Sequence, residues 1–277
     1  MISTAPSPIT VPEVRPSDPT SGPLDYISAS RLRCYQTCRR QFYYRYIERI
    51  PTIVSPALHV GKTVHHVLQK WNLRRWRGEP CDADDLRGCF QDYWIQKQPN
   101  EGIDWGNKEE AEKDKAWAML EHYLAHTPIP KEERPDAVEV VVERDLMASG
   151  LPPIKGVIDL VRSNGIIVDF KTTARTPDPA TAPHLNSLQM GIYALLYREA
   201  TGKTEKGIEL HFLVKTKIPK LVVLPLDPLT PDHTRGLIAQ IESYVSGVSG
   251  EDFVPSPVSV RELASFRSAK IPRRVCA

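Results

Sequence analysis

Hydrophobic and polar positions change their period once along this chain. From residue 57 to 77 the apolar residues Val60, Val64, Val67, Leu68 and Trp71 recur at helical spacing, so one stripe faces a core. At about 100° per residue, His65 borders that stripe and His66 points to solvent. Two more helices are predicted over 82–98 and 107–126, opening on Asp82 and Asn107, each able to cap. Upstream, order is expected to begin near Ile27, with Ser28 capping a short helix and a second helix over 38–46. Pro51 and Pro56 then break the chain.

After Pro135 the pattern turns to β-branched runs separated by turn residues, which predicts strands over 138–146, 154–161 and 165–171. Asn164-Gly165 is a strong hairpin signal and makes the last two antiparallel neighbours. A helix over 185–200 carries Leu188, Ile192, Leu195 and Leu196 on one side, strands follow over 208–214 and 221–226, and a helix over 231–248 closes the domain. No internal repeat is evident. Helices first and then a mixed sheet predict an α/β or α+β fold, a mixed sheet flanked by helices with an N-terminal helical region.

Composition refines this picture at the ends. Residues 1–26 carry Pro6, Pro8, Pro12, Pro16, Pro19 and Pro23 among Ser and Thr and are expected to be a disordered tail. Residues 27–277 are long enough for one domain with elaborations. No run approaches the roughly 18 apolar residues of a membrane helix, and no secretory signal is visible, so a soluble cytoplasmic protein is expected. Cys34, Cys38, Cys81, Cys89 and Cys276 form an odd set without disulfide spacing and are expected to be reduced.

The net charge of +2 says little, because 36 basic and 34 acidic side chains nearly cancel. Local stretches say more: 31–49, 203–220 and 261–274 are basic. The first interleaves Arg33, Arg39, Arg40 and Arg45 with Tyr35, Phe42, Tyr43, Tyr44 and Tyr46, a mixture suited to phosphates and stacked bases. An amphipathic helix with aromatic core residues and solvated arginines is the plainer alternative.

The candidate chemistry lies on the strands. Asp159 is an acid in an otherwise apolar run, Gly-Val-Ile-Asp, and a buried carboxylate needs a cation or donors. Across the hairpin, Ile-Ile-Val-Asp-Phe-Lys puts Asp169 and Lys171 two residues apart on one strand face. Carboxylates on paired strands can hold Mg²⁺ or Mn²⁺, and a metal with a nearby ammonium suits phosphodiester hydrolysis. Asp-x-Lys alone is weak, and an ordinary ion pair explains it equally well. His65 could complete a metal shell, with Gly61 one turn earlier leaving the helix surface open for a ligand. A histidine at a packed helix margin is the bland alternative. Gln189 and Tyr193, four apart on the next helix, share a face and could reach a phosphate, or make ordinary hydrogen bonds.

In this order the residues resemble the PD-(D/E)XK nuclease superfamily, and within it the RecB-type branch of CRISPR-associated and phage exonucleases, from about Ile27 to Pro257. Ser-Ala-Ser-Arg-Leu-Arg-Cys-Tyr-Gln-Thr-Cys38 is similar to the branch's opening motif. Gly61-Lys-Thr-Val-His65, Gly156-Val-Ile-Asp159, Asp169-Phe-Lys171 and Gln189-Met-Gly-Ile-Tyr193 resemble the motifs that follow. The resemblance implies a restriction-endonuclease-like core over 135–257, behind a mainly helical 27–134 and ahead of a basic 258–277. It implies metal held by His65, Asp159, Asp169 and the Phe170 carbonyl, a catalytic Lys171, and substrate positioning by Gln189 and Tyr193; from the basic aromatic stretch, Arg39 and Arg40 are expected to contact the DNA. The expected activity is a Mg²⁺- or Mn²⁺-dependent deoxyribonuclease, an exonuclease of recombination, repair, phage or defence processing, with a helicase or recombination protein as partner. A non-catalytic DNA-binding or scaffolding subunit is the competing expectation. Many members of the branch hold an iron–sulfur cluster with one early and three late cysteines. Here only Cys276 follows Pro257, so a cluster is not expected.

Overall fold

The computed structural model describes residues 21–255, side chains of 98–101 excepted. The basic stretch 261–274 and Cys276 lie outside them. Five strands form one sheet in the order β1-β2-β3-β4-β5, namely Ala137–Arg144, Ile154–Val161, Ile166–Thr173, Gly207–Val214 and Lys220–Leu226. All neighbours are antiparallel except β3 and β4, which run parallel because the long helix α6 (Ala182–Thr201) carries the chain back between them. The mixed sheet flanked by helices is therefore as the sequence pattern predicts.

Two apolar clusters sandwich the sheet. On one face α3 (Pro56–Arg77), α4 (Ala83–Glu101) and α5 (Glu109–His126) bring Val64, Leu68, Trp94 and Leu120 against Val168, Phe170 and Leu213. On the other, α1 (Ala29–Thr37), α6 and α7 (Pro231–Ser249) bring Leu32, Ile192, Leu196 and Ile241 against Ile158, Ile167 and Leu210. Ser28 caps α1 and Asp82 caps α4 through their side chains, as expected.

The ladder is irregular where it matters. Val138 and Leu160, opposite one another, lie in the cluster under α3–α5, whereas Val142 and Ile158 lie in the cluster under α6. Residues an even number apart on a regular strand share a face, so both strands reverse their alternation between these points. The residues at the reversal are Glu139, with φ of 44°, and Asp159, and no ladder pair joins them although Val138↔Leu160 and Val140↔Ile158 flank them in unbroken register. A left-handed conformation at a non-glycine residue inside a strand is strained.

Strands β2 and β3 pair only at Leu160↔Val168 and Val161↔Ile167, beside a turn in which Gly165 has φ of 81° and Asn164 Oδ1 accepts the Ile166 N–H at 3.1 Å. Past that point they part. Farther down β2, Ile27 takes the abandoned edge, accepting the Lys155 N–H and donating to Pro153 O, both at 2.8 Å. Residues 21–26, assigned by composition to the tail, are held in place: the buried Arg31 guanidinium donates to Ser21 Oγ, Gly22 O, Pro23 O and Tyr26 O.

Three local expectations fail for tertiary or backbone reasons. The predicted 38–46 helix is a short α2 (Arg39–Phe42) followed by a π-helical turn, Tyr43–Ile47, that buries Phe42 and Tyr44. Asn107 does not cap α5; with φ of 64° it belongs to a left-handed turn with Gly106, and α5 opens instead on Glu109, Glu110 and Glu112, whose charges suit a helix N-terminus. His66 does not face open solvent: its ring stacks on Tyr93 of α4 at 4.3 Å.

Candidate active site

The parting of β2 and β3 leaves the Phe170 N–H without a backbone acceptor, and the Asp159 carboxylate accepts it at 3.0 Å through Oδ2. In an extended strand the N–H and C=O of one residue point to the same edge, so the Phe170 carbonyl faces the same gap. His65, on α3, puts Nδ1 3.6 Å from that Asp159 oxygen, and its ring meets Phe170 edge to face. Asp169 is 1% exposed; Lys171 Nζ donates to its Oδ1 at 3.0 Å and to Gln189 Oε1 at 2.8 Å. Gln189 Nε2 in turn donates to Asp169 Oδ1 at 3.0 Å and to the Tyr193 hydroxyl at 2.8 Å. His65, Asp159, Asp169, Lys171, Gln189 and Tyr193 are thus brought together.

The charges are not evenly matched. Burial disfavours a charged His65, yet the Asp159 carboxylate, with help from Asp169, holds its pKa up at about 9. Burial works to raise Asp159 too, but His65, the Phe170 N–H and Lys171 bring it below the ordinary carboxylate range. Asp169 goes the other way, pushed to about 6 by burial and by Asp159 against the pull of Lys171. Burial and the two aspartates keep the Tyr193 hydroxyl protonated.

Both Gln189 amide protons are committed inside the cluster, so this side chain fixes Asp169 and Lys171 rather than presenting a free amide to a phosphate. Lys171 retains a third N–H, and Tyr193 retains its hydroxyl proton. Gly61 does not open the helix surface as expected. A Cβ there would lie 3.2 Å from Thr172 Oγ1, so the bare backbone serves close packing of α3 on β3. Gly156 plays the same part on the other face, where a Cβ would stand 2.6 Å from Leu196 Cδ1 of α6.

Arg39 and Arg40 make no hydrogen bond or ion pair with this group. Arg39 pairs with Asp252 and lies over Tyr35, while Arg40 lies over Tyr43. Cys38 is buried, with Sγ accepting the Gln41 N–H at the start of α2. One acidic residue went unnoticed in the sequence: Glu139, in register with Asp159, whose pKa burial and the Asp159 charge lift to about 7. The signal was the one that marked Asp159, an acid inside a β-branched run.

Among the described residues, no three His, Cys, Asp or Glu side chains form a finished metal cage. The donors nevertheless fit a hard divalent cation. Asp169 is fully buried with the Lys171 ammonium 2.7 Å from its Oδ2, and His65 and the Phe170 carbonyl border the same gap.

Residues 26–259 match the sequence model of the PD-(D/E)XK nuclease superfamily. The chain belongs to this superfamily. A putative exonuclease from Eubacterium rectale shares the fold of this PD-(D/E)XK protein, with a TM-score of 0.62 at 15% identity over 91% of each chain. SSO0001 aligns over 81% of this chain and 88% of its own at 12% identity and a TM-score of 0.37, too low to carry an argument. No curated protein matches. No helix of this PD-(D/E)XK chain, among the described residues, is long and apolar enough to cross a membrane.

Proposed function

We propose that this protein is a Mg²⁺- or Mn²⁺-dependent deoxyribonuclease that hydrolyses DNA phosphodiester bonds, acting as an exonuclease of the RecB-type branch. The observation that carries the reading is the buried Asp169 carboxylate, placed beside Asp159 and the Lys171 ammonium where β2 and β3 separate. The exonuclease assignment rests on the order of the motifs from Cys38 to Tyr193.

His65, Asp159, Asp169 and the Phe170 carbonyl would hold the cation. When bound it supplies Lewis-acid stabilisation of a phosphate and a more acidic water. The protein's own groups supply orientation. Lys171, anchored through Asp169 and Gln189, directs its remaining N–H at the attacking water or the phosphate and so favours in-line attack on phosphorus. Tyr193, kept protonated, donates to a phosphate oxygen. The water's proton passes to solvent or to a neighbouring carboxylate as the O–P bond forms, and the leaving oxygen takes a proton from solvent as its bond to phosphorus breaks.

The test uses the full chain with Mn²⁺ on end-labelled linear and circular DNA, single and double stranded, alongside Asp169→Ala and Lys171→Ala. Release of mononucleotides or short products from linear DNA alone supports the reading, and cleavage that survives both substitutions overturns it. A second reading is a DNA-binding or scaffolding subunit. Calorimetry separates the two: retained DNA affinity without Mn²⁺ binding supports the scaffold.

A further inference from the structure

The flank of α3 beside the acid cluster carries a row of basic side chains. Lys62, His66, Lys70 and Arg74 recur every fourth residue, so they climb one side of the helix at about 6 Å per step, one residue round from His65. Helix α4 runs back along the same side. Its Tyr93 ring stacks on the His66 ring at 4.3 Å, its Lys97 ammonium lies 5.8 Å over that tyrosine, and its Asp85 meets Arg74. The Arg74–Asp85 and His66–Tyr93 contacts make the two helices antiparallel and put Lys97 across from the turn of α3 that carries Lys62.

The two ends of α3 are neutralised differently. Away from the cluster, Arg74 pairs with Asp85, Arg77 with Glu79, and Arg75 is spent on the carbonyls of Pro130 and Glu133. Toward the cluster, Lys70 and Lys97 are exposed and neither makes an ion pair among the described residues. Both of their fields reach the His66 ring, and that of Lys70 also reaches Glu139 on β1, at the edge of the cluster. Like charges gathered on neighbouring helical turns repel. A polyanion laid along the groove removes that repulsion and releases its own counterions. The His66–Tyr93 stack fixes α4 on α3 and, with it, the spacing of the two lysines.

We propose that the groove between α3 and α4 at Lys70, His66 and Lys97 is a seat for the DNA backbone, holding phosphates that flank the one cleaved. This rests on the nuclease reading above and extends it to the path of the substrate: the strand runs from the acid cluster along this groove. Lys70 and Lys97 meet the phosphates as point cations, and His66 positions them through Tyr93.

The test is fluorescence anisotropy of the full chain on labelled DNA, single and double stranded, over a series of salt concentrations, with Ca²⁺ in place of Mn²⁺ to slow cleavage. Lys70→Gln combined with Lys97→Gln is expected to weaken binding at least about tenfold and to lower the slope of log affinity against log salt by about 2, one for each lost phosphate contact. With Mn²⁺ the loss should fall on KM more than on kcat. Lys70→Arg combined with Lys97→Arg, which retains the charges, should keep both affinity and slope. Arg77→Gln, at the paired end of the same helix, should bind within about twofold of wild type. The melting temperature of the Gln pair should hold or rise, the reverse of what a structural role would give. Binding by the Gln pair within about twofold of wild type, at an unchanged slope, overturns the seat and leaves the nuclease reading standing. A wild type that binds with these dependences yet cleaves nothing overturns the nuclease reading and keeps the seat, and one that binds no DNA overturns both.

Discussion

Two charge clusters lie within this fold, and they are balanced differently. Around Arg162, the guanidinium donates to both oxygens of Glu133, at 3.1 and 2.9 Å, and to Glu209 at 3.2 Å. Glu209 also accepts from His211, whose other ring nitrogen is 3.0 Å from the Tyr123 hydroxyl, itself accepting from Thr127. Every charge there has a partner, and the hydrogen bond from His211, ahead of burial, brings Glu209 below its usual range. Around Asp169 the opposite holds: carboxylates outnumber their partners, and burial pushes Asp169 and Glu139 upward. A satisfied network stabilises; an unsatisfied one, kept beside it in the same sheet, has another use.

If that contrast is right, substitutions in the two clusters should separate activity from stability. The largest effect is expected at the unsatisfied cluster, where Asp169→Asn should lower nuclease turnover at least about a thousandfold, about 4 kcal/mol of barrier. Its melting temperature should hold or rise, because a buried charge has been removed. A large drop in melting temperature would erase the contrast. At the satisfied cluster, Arg162→Met should destabilise by about 3 kcal/mol in denaturant titration, since it takes the ion-pair partner from Glu133 and leaves Glu209 with His211 alone, while turnover per folded molecule stays near wild type.

The cation-free protein should also report the imbalance through pH. His65 holds its proton to about pH 9 when folded against 6.5 unfolded, and Glu139 to about 7 against 4.5. The stability linked to His65 is complete below about 6.5 and lost as pH rises through 9; Glu139 and Asp169 penalise folding as pH rises above their unfolded values. Melting temperature in a chelator should therefore fall between pH 5 and 9, and a flat profile would count against these assignments. The smallest effect is expected from Glu139→Gly, which relieves a left-handed backbone and a like-charge contact. A gain of about 1 kcal/mol in a chelator would place the strain at this residue, and an unchanged stability would remove it.

Much of this was legible in the sequence because it is local. The Asn164-Gly165 turn fixes which strands pair, the Asp82 and Ser28 caps fix where helices begin, and the two-residue spacing of Asp169 and Lys171 puts both on one face. What was not legible depends on neighbours distant in sequence. His66 is covered by Tyr93, Gly61 by Thr172, and Gln189 is saturated by partners on β3 and its own helix. The reversal at Glu139 and Asp159 cannot be read from alternation, since it arises where two strands change the layer they serve.

The hydrogen bonds of Ile27 to Pro153 and Lys155 have a consequence for association. By bridging β2 where β3 leaves it, this short segment closes an opening in the middle of the sheet that would otherwise present unpaired N–H and C=O groups to another chain. Arg31 and the Tyr244 hydroxyl, bonded to Pro23 O at 2.7 Å, keep the cover seated. A chain cut between Ile27 and Ser28 should therefore keep the cluster around Asp169 yet become self-adhesive, forming oligomers that grow with concentration in light scattering.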